Sequence, residues 1–118
     1  MLRFGAQHGY VVTKGGRRRL LNGWSSRRNR LTPEAERQAV NTVVQGSAAD
    51  IMRVALPLMA DHGLLCQVHD EVVLETDDPE AAVAAVQAAF AHARDALGLP
   101  EWVVRTDPKV VFRWSDAK

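Results

Sequence analysis

The stretch QVHDEVVLE, residues 67–75, sets His69, Asp70 and Glu71 side by side between runs of Val and Leu. Carboxylates held at the end of a rigid hairpin suit a hard cation such as Mg²⁺, which is typically bound by one or two carboxylates plus waters and substrate phosphates. Acidic residues at a hairpin tip are more often solvent-facing turn residues. Here residues 64–68 and 72–74 are apolar enough to lie in a packed sheet, which favours fixed carboxylates. A zinc site would want further His or Cys, and His8, His62 and His92 show no ligand spacing.

A second pattern is Arg37, Asn41 and Gln45, which recur every fourth residue and form one stripe on a helix. A solvated face accounts for such a stripe, but Glu and Lys are better helix formers for that purpose. Asn and Gln can instead donate to the N3 and O2 acceptors that every base pair shows in the minor groove. Contacts of that kind grip a duplex without reading its sequence.

The third feature is charge. The net charge is +1, yet residues 1–30 hold eight Lys/Arg and no Asp/Glu, and the remainder is acidic. Arg17, Arg18 and Arg19 follow a glycine pair, and Arg27, Arg28 and Arg30 come soon after. Clustered guanidinium groups bind phosphates, and equally they make a solvated basic arm.

The elements that must position these residues follow from periodicity and punctuation. Residues 9–13 and 19–21 flank the glycine pair and predict a short hairpin presenting the arginines, and 22–32 reads as a polar loop. Thr32 and Pro33 open a helix over 33–44. Gly46 is expected to interrupt it, with Ser47 capping a second helix over 47–62 in which Asp50 completes the cap and Pro57 makes a kink. Two strands meet at Asp70. Asp78-Pro79 opens a third helix to about residue 97, stopped by Gly98 and Pro100, and a last strand is expected at 109–113. The alanines of 81–93 are explained by helix propensity. Cys66 reads as a core thiol, Trp24 as a packed or loop aromatic, and Tyr10 as hairpin packing.

With 118 residues there is room for one domain at most. No apolar run is long enough to span a bilayer, no secretory signal is visible, and one cysteine cannot make an internal disulfide. The expected setting is the cytoplasm, with no membrane partner.

Three blocks together resemble the C-terminal part of the palm of family A DNA polymerases, the bacterial DNA polymerase I type. They are GYVVTKGGRRRL at 9–20, AERQAVNTVVQGSAADIM at 35–52 and LLCQVHDEVVLE at 64–75, the last resembling motif C; the ending WSDAK at 114–118 is similar as well. Single-subunit phage RNA polymerases usually carry a small residue after His-Asp, so Glu71 favours the DNA enzymes. The Phe112-Arg113 pair departs from the glycine-containing pattern of the family.

The resemblance implies an α+β fold, with a small antiparallel sheet holding the 64–75 hairpin and the 109–113 strand, packed against helices. It implies that Asp70 is a ligand of two catalytic Mg²⁺ ions with Glu71 in support, and that His69 lies against the primer terminus. Arg37 would hold the template strand, Asn41 and Gln45 would touch the minor groove, and Arg17, Arg18 and Arg19 would contact phosphate or form a structural salt bridge. The family also needs a DYS-type motif A and a fingers helix holding the incoming dNTP, and neither is in these residues.

Three functions are then open. The chain is a C-terminal piece of a DNA polymerase that binds primer-template DNA and works with a complementary chain carrying motif A and the fingers. Alternatively it is a non-catalytic duplex-binding remnant or accessory module. The third, a small metal-dependent phosphodiesterase using Asp70 and Glu71 alone, lacks a third ligand and a nucleophile-positioning group.

Overall fold

The computed structural model describes residues 1–25 and 30–117. The chain divides into two compact units, Met1–Asp50 and Ile51–Lys118, each with its own core. Helix α2, Pro33–Met59, runs through the division. Among the described residues no helix is long and apolar enough to cross a membrane.

In the first unit, helix α1 (Leu2–His8) ends at Gly9, whose left-handed φ of 72° lets its N–H reach back to the Gly5 carbonyl. Strands β1 (Tyr10–Val12) and β2 (Arg18–Leu20) form the expected antiparallel hairpin, with Val11 opposite Arg19. Two further strands, β3 (Trp24–Ser25) and β4 (Arg30–Leu31), pair antiparallel within what the sequence predicts as a loop. Leu31 explains the difference: it is buried with Val11, Leu21, Ala35 and Ala39, so an apolar side chain anchors the end of the segment.

In the second unit, strands β5 (Leu64–Val68) and β6 (Glu71–Leu74) make an antiparallel hairpin, and helix α3 spans Pro79–Ala96. The Asp78 side chain accepts from the Ala81 N–H at 3.1 Å, with Pro79 in the first turn, and Gly98 follows the helix at φ 68°. Ile51, Ala55 and Met59 of α2 pack with Ala89, Phe90 and Ala93 of α3, and Leu64 and Val72 of the hairpin close over them. Burying Phe90 alone contributes about 1.5–3 kcal/mol. Three of the alanines explained by propensity, Ala82, Ala89 and Ala93, are buried, because only a small side chain lets α3 approach its neighbours closely.

The architecture is α+β, as the sequence predicts, with three two-stranded antiparallel sheets among the described residues. Two further expectations are corrected. Helix α2 is continuous through Gly46 and ends at Met59, two residues past Pro57, before a single 3-10 turn over Ala60–His62. Gly46 is there for contact and not for interruption: a Cβ would lie 2.6 Å from Thr13 Cγ2. The expected strand at 109–113 does not form, and residues 102–111 belong to no helix or strand. Trp102 and Val104 pack on the core, but Val103, Val110 and Phe112 are exposed, and no neighbouring ladder among the described residues pairs their backbone.

Candidate functional site

The β5–β6 hairpin carries the charged triplet. Val68 pairs with Glu71, so the chain reverses through only two residues, His69 and Asp70. His69 takes a left-handed φ of 56°, the only positive φ outside glycine among the described residues. That conformation costs a residue with a Cβ on the order of 1–2 kcal/mol. It is held by its surroundings: the Gln67 side-chain amide donates to the His69 carbonyl. Further along the same ladder, within β5, the register shifts between Leu64 and Cys66, a bulge that re-aims the strand. Sequence reasoning finds the turn but not the strain, since His is only modestly favoured at positive φ.

His69, Asp70 and Glu71 are all exposed, and neither carboxylate is ion-paired among the described residues. No group of three or more His, Cys, Asp or Glu converges among those residues either. Two adjacent carboxylates nevertheless fit the donor chemistry of Mg²⁺, which takes one or two protein oxygens and fills the rest of its octahedron with water and phosphate. Cys66 is half-buried in β5 and not the core thiol expected of it.

In the first unit the remaining predicted residues gather on one side of α2. Arg37, Asn41 and Gln45 are exposed and line an open, largely apolar cavity of about 560 Å³ together with Val40 and Val44. Asn41 and Gln45 also border a more polar cavity of about 430 Å³ whose opposite wall is Arg17, Arg18 and Arg19. The arginine cluster and the amide stripe, far apart in sequence, are therefore neighbours. Trp24 is about half exposed, and Arg27 and Arg28 lie outside the described residues.

The three arginines differ in what holds them. Arg17 donates through Nε to the Asp50 carboxylate and through Nη2 to the Gly46 carbonyl at 2.9 Å. Arg18 lies with its guanidinium carbon 5.1 Å from the centre of the Tyr10 ring. Tyr10 is itself in edge contact with Phe4 at 5.5 Å. Arg19 is exposed and makes no side-chain hydrogen bond among the described residues.

Asp50 is the residue that sequence reasoning misplaces. It is no helix cap but a fully buried carboxylate in mid-helix. Besides Arg17, it accepts from the Thr13 hydroxyl and from the Gly15 N–H at 3.0 Å. Burial pushes its pKa up, but the bonds from Thr13, Arg17 and Gly15 and the Arg17 charge outweigh that, so it sits below the ordinary carboxylate value. Ser47 does not cap either: its hydroxyl donates to the Val43 carbonyl one turn back and accepts from Lys14 N–H at 2.9 Å.

Residues 1–101 match DNA polymerase family A. Over 81 residues the chain is 51% identical to DNA polymerase I of Deinococcus radiodurans, covering 63% of this chain and 8% of that one. Over 92 residues it is 41% identical to DNA polymerase I of Chloroflexus aurantiacus, covering 71% and 10%. Over 97 residues it is 39% identical to the thermostable DNA polymerase I of Thermus caldophilus, covering 77% and 11%. The chain thus spans 8–11% of the length of these relatives. No solved structure matches it.

Proposed function

The chain belongs to DNA polymerase family A, and from that premise we propose that it is part of the palm of a DNA-directed DNA polymerase, binding primer-template DNA. In this reading Asp70 and Glu71 are the motif C carboxylates. The observation that supports it is the turn through His69 and Asp70, which leaves Asp70 and the adjoining Glu71 exposed and, among the described residues, unpaired at the end of a hairpin whose Leu64 and Val72 rest on the core. Exposed carboxylates carry no burial penalty, and a cation shared by two neighbours relieves their mutual repulsion.

Asp70 holds Mg²⁺ through its carboxylate and Glu71 supports it from the next position. The metal, when bound, neutralises charge on the transferring phosphoryl group. His69 rests against the primer terminus, Arg37 holds the template strand, and Asn41 and Gln45 donate to minor-groove acceptors. The incoming dNTP and the opposing carboxylate belong to the motif A strand and fingers, which these 118 residues do not carry. Synthesis for replication or repair therefore requires a polypeptide that brings them, in the cytoplasm where the DNA is.

Primer extension tests this, with the 118-residue chain mixed with a family A fragment that carries motif A and the fingers and ends before the GYVVTKGG block. Extension is expected in the mixture and in neither part alone. Asp70→Asn should abolish it without changing the circular dichroism spectrum, and Glu71→Gln should reduce it less. Extension that survives Asp70→Asn overturns the assignment.

A further inference from the structure

Asp50 is fully buried, yet the chemistry proposed above has no use for it. All its side-chain contacts run to the turn joining β1 to β2: the Thr13 hydroxyl, the Gly15 N–H and Arg17 Nε. The Arg17 N–H also donates to Thr13 Oγ1 at 3.1 Å, so the turn is tied to itself and to the helix. Both sides of the contact are glycine where they must be. A Cβ on Gly15 would stand 2.5 Å from Asp50 Oδ2, and one on Gly46 would strike Thr13.

We infer that Asp50 is a positioning residue which takes Arg17 out of the DNA-binding set and fixes the turn so that Arg18 and Arg19 are its phosphate-contacting arginines. The inference rests on the duplex-binding reading. Arg17 has its charge compensated by Asp50 and two donors committed. Arg17 is itself half exposed, but moving its guanidinium onto a phosphate would take the charged partner away from a fully buried carboxylate. Arg18 lies over the Tyr10 ring face, which leaves its N–H edge free for phosphate. All three arginines are exposed and line the cavity opposite Asn41 and Gln45, so what separates them is that Arg17 alone is bound to Asp50 and Gly46. Three adjacent arginines thus divide into one structural and two ligand-facing groups.

The salt dependence of binding separates these roles, because only a charge that neutralises phosphate enters the slope of log affinity against log salt. Anisotropy of a labelled primer-template duplex is measured with the 118-residue chain at several salt concentrations. Arg18→Gln and Arg19→Gln should each flatten the slope by roughly 0.9, the value per phosphate contact. Arg17→Gln should leave it unchanged. Asp50→Asn should steepen it, since the Arg17 charge is then released. A slope flattened by Arg17→Gln as much as by Arg19→Gln overturns the inference. Should these variants fail to fold, NMR of the wild-type protein decides. The Arg17 Nε–H signal should exchange slowly and stay in place as DNA is added, whereas those of Arg18 and Arg19 move; an Arg17 signal that moves with them overturns it. Absence of wild-type binding at low salt overturns both this inference and the duplex-binding reading, whereas binding with an Arg17-dependent slope removes this inference alone.

Discussion

The Gly63 carbonyl accepts a hydrogen bond from the Glu75 N–H at 2.9 Å, and the two backbones are so close that a Cβ on Gly63 would stand 2.0 Å from the Glu75 carbonyl oxygen. This contact closes the open end of the β5–β6 hairpin, opposite the turn that carries His69 and Asp70. Gly63 also has φ 82°, so both its conformation and its neighbour exclude a side chain.

Gly63→Ala should therefore lower the stability of the second unit by more than strain alone. Gly98 is the control, because it has φ 68° with nothing within 4 Å of a Cβ. Gly98→Ala should cost about 1–2 kcal/mol, the left-handed penalty. Gly63→Ala should cost more, since backbone must also move, and each kcal/mol lowers Tm by roughly 4–8 °C in a domain of this size. Thermal melts read both. Equal shifts would mean that the Glu75 contact is easily relaxed.

Asp50 makes the tie between α2 and the β1–β2 turn sensitive to pH. Its pKa lies below the unfolded value of about 3.9, so its carboxylate contributes stability that is present above that pH and lost as pH falls through the lower folded value. Melts of the wild-type protein should weaken on acidification below about pH 4. Asp50→Asn should be less stable at pH 7, because a buried partner of Arg17 is removed, but should lose less on acidification. A variant with the same acid response as wild type would show that other carboxylates set it.

How much of this was legible depended on whether the cause was local. Asp78, Pro79 and Gly98 act within a turn of where they stand, and α3 begins and ends where they predict. The two-residue reversal at Asp70 was equally readable from its apolar flanks. Gly46 and Asp50 misled because their reasons are tertiary. A glycine that admits Thr13 and an aspartate that grips Arg17 look, from sequence, like a break and a cap. The proximity of the arginine cluster to Asn41 and Gln45 was hidden likewise, since it depends on how β2 folds back on α2. Only the family resemblance suggests the roles proposed for Asp70 and Arg37, which spacing alone leaves open.

Asn41 and Gln45 provide the last test, because amides and arginines must fail differently if they face the same duplex. Both are exposed on α2, and both border the arginine-lined cavity. A neutral hydrogen bond to a base edge contributes about 0.5–1.5 kcal/mol, so Asn41→Ala or Gln45→Ala should weaken duplex binding roughly 2- to 12-fold. Neither releases counterions, so the salt slope should stay at its wild-type value in both variants. Arg37→Ala should lower affinity and flatten the slope together. Because N3 and O2 acceptors occur in every base pair, the loss should be similar on A·T-rich and G·C-rich duplexes. Anisotropy at several salt concentrations on two such duplexes measures all of this. Amide variants that bind like wild type would return the stripe to a solvated helix face.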